Sequence, residues 1–229
     1  MARSRGVSLW QRSGIVRDMS NTFDVHTVHA VVLTGGRSSR MGGRHKPGIP
    51  VGGRTVIDRT LATLRSVAPH AKVVIAGSDE GLSSSFRRDI TVVREDPPFS
   101  GPVAGVAAAV DAFATSEGVT LLLGGDLPFL SSATLTRLLE TVTKSAPVVS
   151  CVDEAARLQY LCSGWCTAVL REQVNAVTDP NGVPLRALFS GLVPTLIDCD
   201  PGELRDIDTP EDLARAVHRV SREQGHHGD

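Results

Sequence analysis

The chain has 229 residues, 41 % of them hydrophobic and 4 % aromatic, with a formal net charge of −1. That length suits one α/β domain, or at most two small ones, and the Val-, Leu- and Ala-rich, aromatic-poor content suits a parallel sheet packed by helices. The balanced charge, without a long basic block, argues against a nucleic-acid partner, and the chain lacks an apolar run of the roughly 18 residues that a membrane span needs.

Residues 1–27 carry Arg3, Arg5, Arg12 and Arg17 but no apolar segment of a secretory leader. They are expected to be a disordered N-terminal extension, or to lie partly upstream of a true start at Met19. A short apolar run ending at Leu33 then breaks into a loop that reaches Pro47. The loop holds four glycines (Gly35, Gly36, Gly42, Gly43) and four basic residues (Arg37, Arg40, Arg44, Lys46). A buried strand that empties into such a loop presents backbone N–H groups to phosphates, with glycine permitting close approach and the basic side chains supplying charge.

Val51-Gly52-Gly53-Arg54 reads as a turn, and Ile57, Leu61, Leu64 and Ala68 recur at helical spacing up to Pro69. Lys72 to Ala76 and Ile90 to Val93 read as buried strands, the second followed by Glu95-Asp96-Pro97-Pro98. A helix is expected from Gly101-Pro102 to about Thr115. A fourth strand, Val119 to Leu123, ends in Gly124-Gly125-Asp126, and Ser131 or Ser132 caps the helix carrying Leu135, Leu138 and Leu139. Val148 to Val152 and Leu158 to Thr167 read as strands around a polar turn, Ala168 to Val177 and Leu185 to Leu192 as helices, and Thr195 to Ile197 as a short strand. Thr209-Pro210-Glu211-Asp212 opens a last helix, with Thr as cap, Pro at the first position and Asp completing a capping-box-like arrangement. Residues 222–229, with His226 and His227, are expected to be a disordered tail.

This alternation predicts a single three-layer α/β/α, Rossmann-like domain over residues 28–221, built on a mostly parallel, doubly wound sheet. Ligands of such sheets sit outside the carboxyl ends of the strands. The loops after Leu33, Ala76, Val93 and Leu123 then share one edge, which holds the glycine-rich loop, Asp96 and Asp126. The four cysteines, Cys151, Cys162, Cys166 and Cys199, lack paired C-x-x-C spacing and read as buried thiols rather than as a zinc site.

The loop is neither a P-loop, since no Gly-Lys pair occurs, nor a G-x-G-x-x-G turn. Leu33-Thr34-Gly35-Gly36, Ser39-Arg40-Met41-Gly42 and Lys46-Pro47 together resemble L-A-G-G-x-S-x-R-M-G-x-D-K, the signature of the molybdenum cofactor guanylyltransferases and related MobA-like nucleotidyltransferases. Gly101-Pro102-Val103-Ala104-Gly105 resembles their G-P-L-A-G segment. Asp126 with Leu127-Pro128-Phe129-Leu130 resembles D-x-P-F-L, and Asp206 to Asp212 resembles N-x-N-T-P-E-D with acids in place of the asparagines. Gln159-Tyr160-Leu161 resembles an acceptor-side segment.

The resemblance covers about residues 28–220 and implies a nucleotide-diphospho-sugar transferase-like fold. It also implies a Mg²⁺-dependent cytoplasmic enzyme, a monomer or small homo-oligomer, that joins GMP from GTP to molybdopterin with release of pyrophosphate. In that reading Lys46 and Arg40 neutralise the triphosphate and Asp126 binds the metal. Leu33, Thr34, Gly35, Gly36, Lys46, Asp96 and Asp126 bind the nucleotide. Asp208 is either a second metal ligand or a helix N-terminal charge. Cytidylyl transfer, another phosphorylated acceptor such as a sugar phosphate or phospholactate, and a non-catalytic nucleotide-binding protein stay open. His45 departs from the signature, which has Asp before the lysine.

Overall fold

The computed structural model describes residues 27–35, 45–200 and 202–225. In chain order the strands are β1 (Val28–Leu33), β2 (Pro50–Val51), β3 (Arg54–Thr55), β4 (Lys72–Ala76), β5 (Ile90–Val93), β6 (Val119–Gly124), β7 (Val148–Val152), β8 (Leu158–Cys166) and β9 (Thr195–Asp198). The α-helices are α1 (Val56–Val67), α2 (Ser84–Arg87), α3 (Pro102–Asp111), α4 (Ser132–Thr141), α5 (Thr167–Asn175) and α6 (Pro210–Gly225).

Seven strands form one sheet in the order β5-β4-β1-β6-β8-β7-β9, and β2 and β3 form a separate hairpin. The apolar run of β1 is buried from His29 onward. Such a strand belongs between parallel neighbours with helices on both faces, and β4 and β6 flank it in parallel. Strand β8 alone runs against its neighbours, pairing antiparallel with both β6 and β7. The five residues between β7 and β8 are too few for a crossover, so the two strands must turn back on each other. Among the described residues the expected three-layer, mostly parallel α/β/α architecture holds, with this one reversal.

The sheet alternates its side chains between two cores. Ala30, Val32, Ile75, Leu121 and Leu123 meet α1 and α4 through Leu61, Leu64, Leu135 and Leu138. Val31, Leu33, Val74 and Leu122 meet α3 and α5, together with Trp165 and Leu170. A third, smaller core joins Val51 and Val56 to Ile207, Ala216 and Val220, and so fastens α6 beside the hairpin.

Local signals start the helices as the side chains require. Thr55 accepts from the Asp58 amide at the start of α1, and Ser131 accepts from the Thr134 amide at 3.1 Å at the start of α4. Thr209 and Asp212 cap α6 reciprocally, since the Asp212 amide donates to Thr209 Oγ1 while Asp212 Oδ2 accepts from the Thr209 amide. The expected helix over Leu185 to Leu192 is instead a 3-10 turn, Leu185–Phe189, between Pro184 and Gly191, which has φ of 75°. Helix α3 stops at Asp111 rather than near Thr115, because the Ala112 and Phe113 amides take tighter bonds to Ala109 and Val110. Helix α6 continues through Gly225, so the tail boundary expected at residue 222 falls inside it.

The exit of β1 is gripped from both sides. The Thr34 amide donates to the Ala76 carbonyl, and the Leu33 carbonyl accepts from the Gly125 amide. Gly77 has φ of 126°, and a Cβ there would lie 2.7 Å from the Gly35 nitrogen and from Thr34 Oγ1. A Cβ on Gly125 would lie 2.8 Å from Thr34 Cγ2. Gly77→Ala is therefore expected to cost about 1–3 kcal/mol, measured by denaturant unfolding. An unchanged midpoint would contradict this account of the β1 exit.

Candidate active site

The site is assembled at the carboxyl edge of the parallel strands, from three chain segments far apart in sequence. The first is the exit of β1, where Thr34 is buried and its hydroxyl donates to the Ser78 carbonyl at 2.7 Å. Gly35 follows, exposed. The Thr34 amide and Leu33 carbonyl are already engaged in the sheet edge, so of these two only the carbonyl, with its second lone pair, can also meet a base. Gly36 and Arg40 lie outside the described residues.

After His45, Lys46 opens a 3-10 turn, Lys46–Gly48, that buries Pro47. The turn closes through the Gly48 amide to the His45 carbonyl and the Ile49 amide to the Lys46 carbonyl. These bonds set the Lys46 backbone, and its side-chain Nζ forms an ion pair with Asp208. Asp208 lies 162 residues away, at the entrance to α6.

The second segment is the exit of β6. Gly124 and Gly125 carry the chain past β1 and leave Asp126 half-buried at the edge. The third is the extended stretch before α6, with Asp206 and Asp208. Buried Glu203 anchors that stretch, because its Oε2 accepts from Thr134 Oγ1 at 2.6 Å and from the Ser131 amide at 3.4 Å. A carboxylate at the amino end of α4 is also favoured by the helix dipole.

Electrostatics show that the three segments converge. Burial pushes the Asp126 carboxyl above the ordinary carboxylate range, and the Asp206 charge adds to it. The Asp126 backbone amide and Lys46 pull it back, and Asp208 contributes a smaller rise. Asp206 is also raised, first by burial of its carboxyl, although the residue as a whole is exposed, and then by Asp208, with Lys46 opposing. Lys46, Asp126, Asp206 and Asp208 thus form one charge cluster. Asp96 sits at the same edge, exposed after β5 at the outer end of the sheet, and is not among the charges that shift Asp126 or Asp206.

Asp206 is the member that sequence reasoning left without a role. The available signal was the D-x-D spacing, which puts alternate residues of an extended segment on one side. Beside the cluster lies a cavity of about 560 Å³ reaching from Asp126 and Asp206 to Gln159 and Leu161, with Arg157 and Arg205 on its walls. Tyr160, between those two β8 residues, turns to the opposite core against Phe189.

A sequence profile of the MobA-like NTP transferase domain matches residues 30–195. The chain belongs to this family. A molybdenum cofactor guanylyltransferase from Rhodobacter capsulatus is 30 % identical over 197 residues, covering 84 % of this chain and 96 % of that protein. One from Nitrobacter hamburgensis is 37 % identical over 123 residues, a match that spans 51 % of this chain and 56 % of the relative. Among solved structures, molybdopterin-guanine dinucleotide biosynthesis protein A from Archaeoglobus fulgidus superposes with a TM-score of 0.63 at 20 % identity, over 85 % of this chain and 99 % of that one. That likeness shows the shared fold.

The MobA-like match ends before Asp206 and Asp208, so their place in the cluster is read from the geometry of this chain. His45, standing where the signature has Asp, is half-buried with Nε2 unpartnered. Burial lowers its pKa, against the opposing pull of Glu80 and Asp79. The imidazole is therefore neutral at neutral pH and adds no negative charge beside Lys46.

A carboxyl whose folded pKa is raised favours its protonated form in the native state. Its penalty is absent below the ordinary carboxylate pKa and is complete above the raised one. Asp126→Asn should therefore raise the melting temperature at neutral pH in the absence of divalent cations. That gain should fade as pH falls through the carboxylate range. A lower melting temperature at neutral pH would contradict the charge assignment.

Proposed function

We propose that this MobA-like chain transfers GMP from GTP to the terminal phosphate of molybdopterin, releasing pyrophosphate, in the cytoplasm and as a monomer or small homo-oligomer. The observation that carries the reading is the meeting of Lys46, Asp126, Asp206 and Asp208. The names of the guanylyltransferase relatives support the choice of nucleotide and acceptor.

The acidic cluster suits Mg²⁺. Carboxylate oxygens are the donors a hard divalent cation takes. The Asp126 and Asp206 carboxyls are raised first by burial and then by their acidic neighbours, with Lys46 only partly opposing, so a cation placed among them would favour their charged forms. Asp126 and Asp208 would hold the ion, with Asp206 beside them. When bound, the ion supplies neutralisation of charge on the phosphate oxygens.

The remaining work falls to the chain's own groups. Lys46 exchanges its Asp208 partner for the triphosphate, joined by Arg40. Gly35, Gly36 and the free lone pair of the Leu33 carbonyl face the purine, and Asp96 meets the nucleotide from the outer end of the edge. The acceptor phosphate is already anionic, so no general base is required. Its oxygen attacks the α-phosphorus in line, and the bond to the bridging oxygen of pyrophosphate breaks. Orientation and charge stabilisation carry the rate. The cavity beside Asp126, with Arg157, Arg205 and Gln159, takes the acceptor.

The test is pyrophosphate release by the full chain with molybdopterin and each of the four nucleoside triphosphates. GTP should be used selectively, and a chelator of divalent cations should stop turnover. Lys46→Ala and Asp126→Ala should each lower kcat by about 10²–10³-fold, the loss seen when one charge-stabilising group is removed. CTP preference would move the chain to cytidylyl transfer, the branch that the acids at Asp206 and Asp208 favour. Parent-like turnover in both variants, or no release from any nucleotide, would overturn the reading.

A further inference from the structure

Three of the four cysteines, scattered over 49 positions of sequence, meet in space. Cys151 lies on β7, Cys162 on β8 and Cys199 one residue beyond β9. Strand pairing brings them there, since β7 lies between β8 and β9 in the sheet. The Ser150–Ser163 register would place Cys151 directly opposite Cys162. Instead a bulge intervenes, and Cys151 pairs with Gln159. An extra stretch of β8 is thereby left without a β7 partner beside the cluster, which is how a bulge re-aims a side chain near a site. The three Sγ atoms lie within 4.8 Å of one another, with Cys162 Sγ and Cys151 Sγ 3.3 Å apart. Cys151 and Cys162 are buried and Cys199 is half-buried, while Cys162 and Cys199 also line the cavity beside Asp126.

Two ordinary explanations account for less than this. Thiols used as small apolar fillers need not converge, and the fourth cysteine, Cys166, is buried elsewhere and does not join the group. A disulfide between Cys151 and Cys162 would use two sulfurs and leave the third unexplained. Three sulfurs around one point are the arrangement a thiophilic cation imposes. With metal–sulfur bonds of about 2.3 Å, thiolates sharing one zinc ion in tetrahedral geometry stand about 3.8 Å apart. The Cys151–Cys162 spacing of 3.3 Å lies slightly inside that value, and no pair exceeds 4.8 Å, so small side-chain shifts would bring all three sulfurs onto one ion.

We propose that Cys151, Cys162 and Cys199 form a binding site for a thiophilic d¹⁰ cation of the zinc class, on the wall of the cavity beside Asp126. The ligands bind as thiolates, and hydrogen bonds from Cys151 and Cys162 hold the Cys199 thiol low, at about 4, so the protons that leave to solvent as the ion enters come from Cys151 and Cys162. Hard and soft donors then sort two metals within one cavity system. The carboxylate cluster takes a magnesium-like ion, and the three sulfurs take a zinc-like one. The sulfur site stands on its own geometry and does not depend on the nucleotidyl reading.

The test is an anaerobic titration of the fully reduced full chain with Co²⁺ in excess Mg²⁺, followed by Zn²⁺. The chain should carry His226→Ala and His227→Ala, so that the tail imidazoles do not compete. One equivalent of Co²⁺ should give thiolate-to-cobalt charge-transfer absorption and the d–d bands of tetrahedral coordination, and one equivalent of Zn²⁺ should remove both. Cys199→Ser and Cys162→Ser should each weaken binding by at least about tenfold, the scale on which supporting residues already act at metal sites. Cys166→Ser should leave the bands intact. Near-ultraviolet circular dichroism of each variant, matched to the parent, separates lost ligands from lost fold. Absence of the charge-transfer band in the parent, or its survival in the folded Cys162→Ser/Cys199→Ser double variant, would overturn the proposal.

Discussion

The structure turns on one electrostatic constraint: three carboxylates and a single lysine occupy the same half-buried corner. Like charges about 4 Å apart repel by about 4 kcal/mol at the effective dielectric of a protein surface. Lys46 compensates one carboxylate through its ion pair with Asp208, while Asp126 and Asp206 remain raised by burial and by their acidic neighbours. A corner built in this way is stabilised by added positive charge. In the proposed reaction the nucleoside triphosphate brings further negative charge, so the proposal calls for a divalent ion at this corner.

Everything else in the fold positions that corner. Strands β1 and β6 are adjacent and parallel, so their exits open at one edge, and the Gly125 amide bonded to the Leu33 carbonyl locks the two exits together. Asp206 and Asp208 arrive from the far end of the chain. Glu203 pins their segment to the start of α4, and the reciprocal Thr209–Asp212 cap fixes where α6 begins. Reversal of β8 has a separate consequence. It leaves a cavity between the β7–β8 turn and the stretch after β9, the space that the proposal gives to the acceptor.

Much of this was legible in the sequence because local and tertiary requirements coincide. Strands β4, β5 and β7 begin and end where their apolar runs do, and Ser131 and Thr209 cap helices because their side chains must satisfy end amides wherever the helices pack. The edge carrying the β1 loop, Asp96 and Asp126 followed from strand–helix alternation alone. Other features depended on long-range pairing that no window of sequence contains. Strand order, the place of β8 in the sheet and the partnership of Lys46 with Asp208 are of this kind. So is the meeting of Cys151, Cys162 and Cys199, whose spacing gave no metal-site pattern although three strands bring them together. The 3-10 turn at Leu185–Phe189 was misread as a helix because its apolar residues suit either form, and only the short span between Pro184 and Gly191 decides.

The central claim is that this corner binds a nucleoside triphosphate only when a divalent cation neutralises its acids. Calorimetric titration of the parent chain with GTP, in Mg²⁺ and again in a chelator, tests it most directly. The account predicts GTP binding in Mg²⁺ that is lost in the chelator and regained when Mg²⁺ is restored. GTP binding of equal strength without any divalent cation would contradict it.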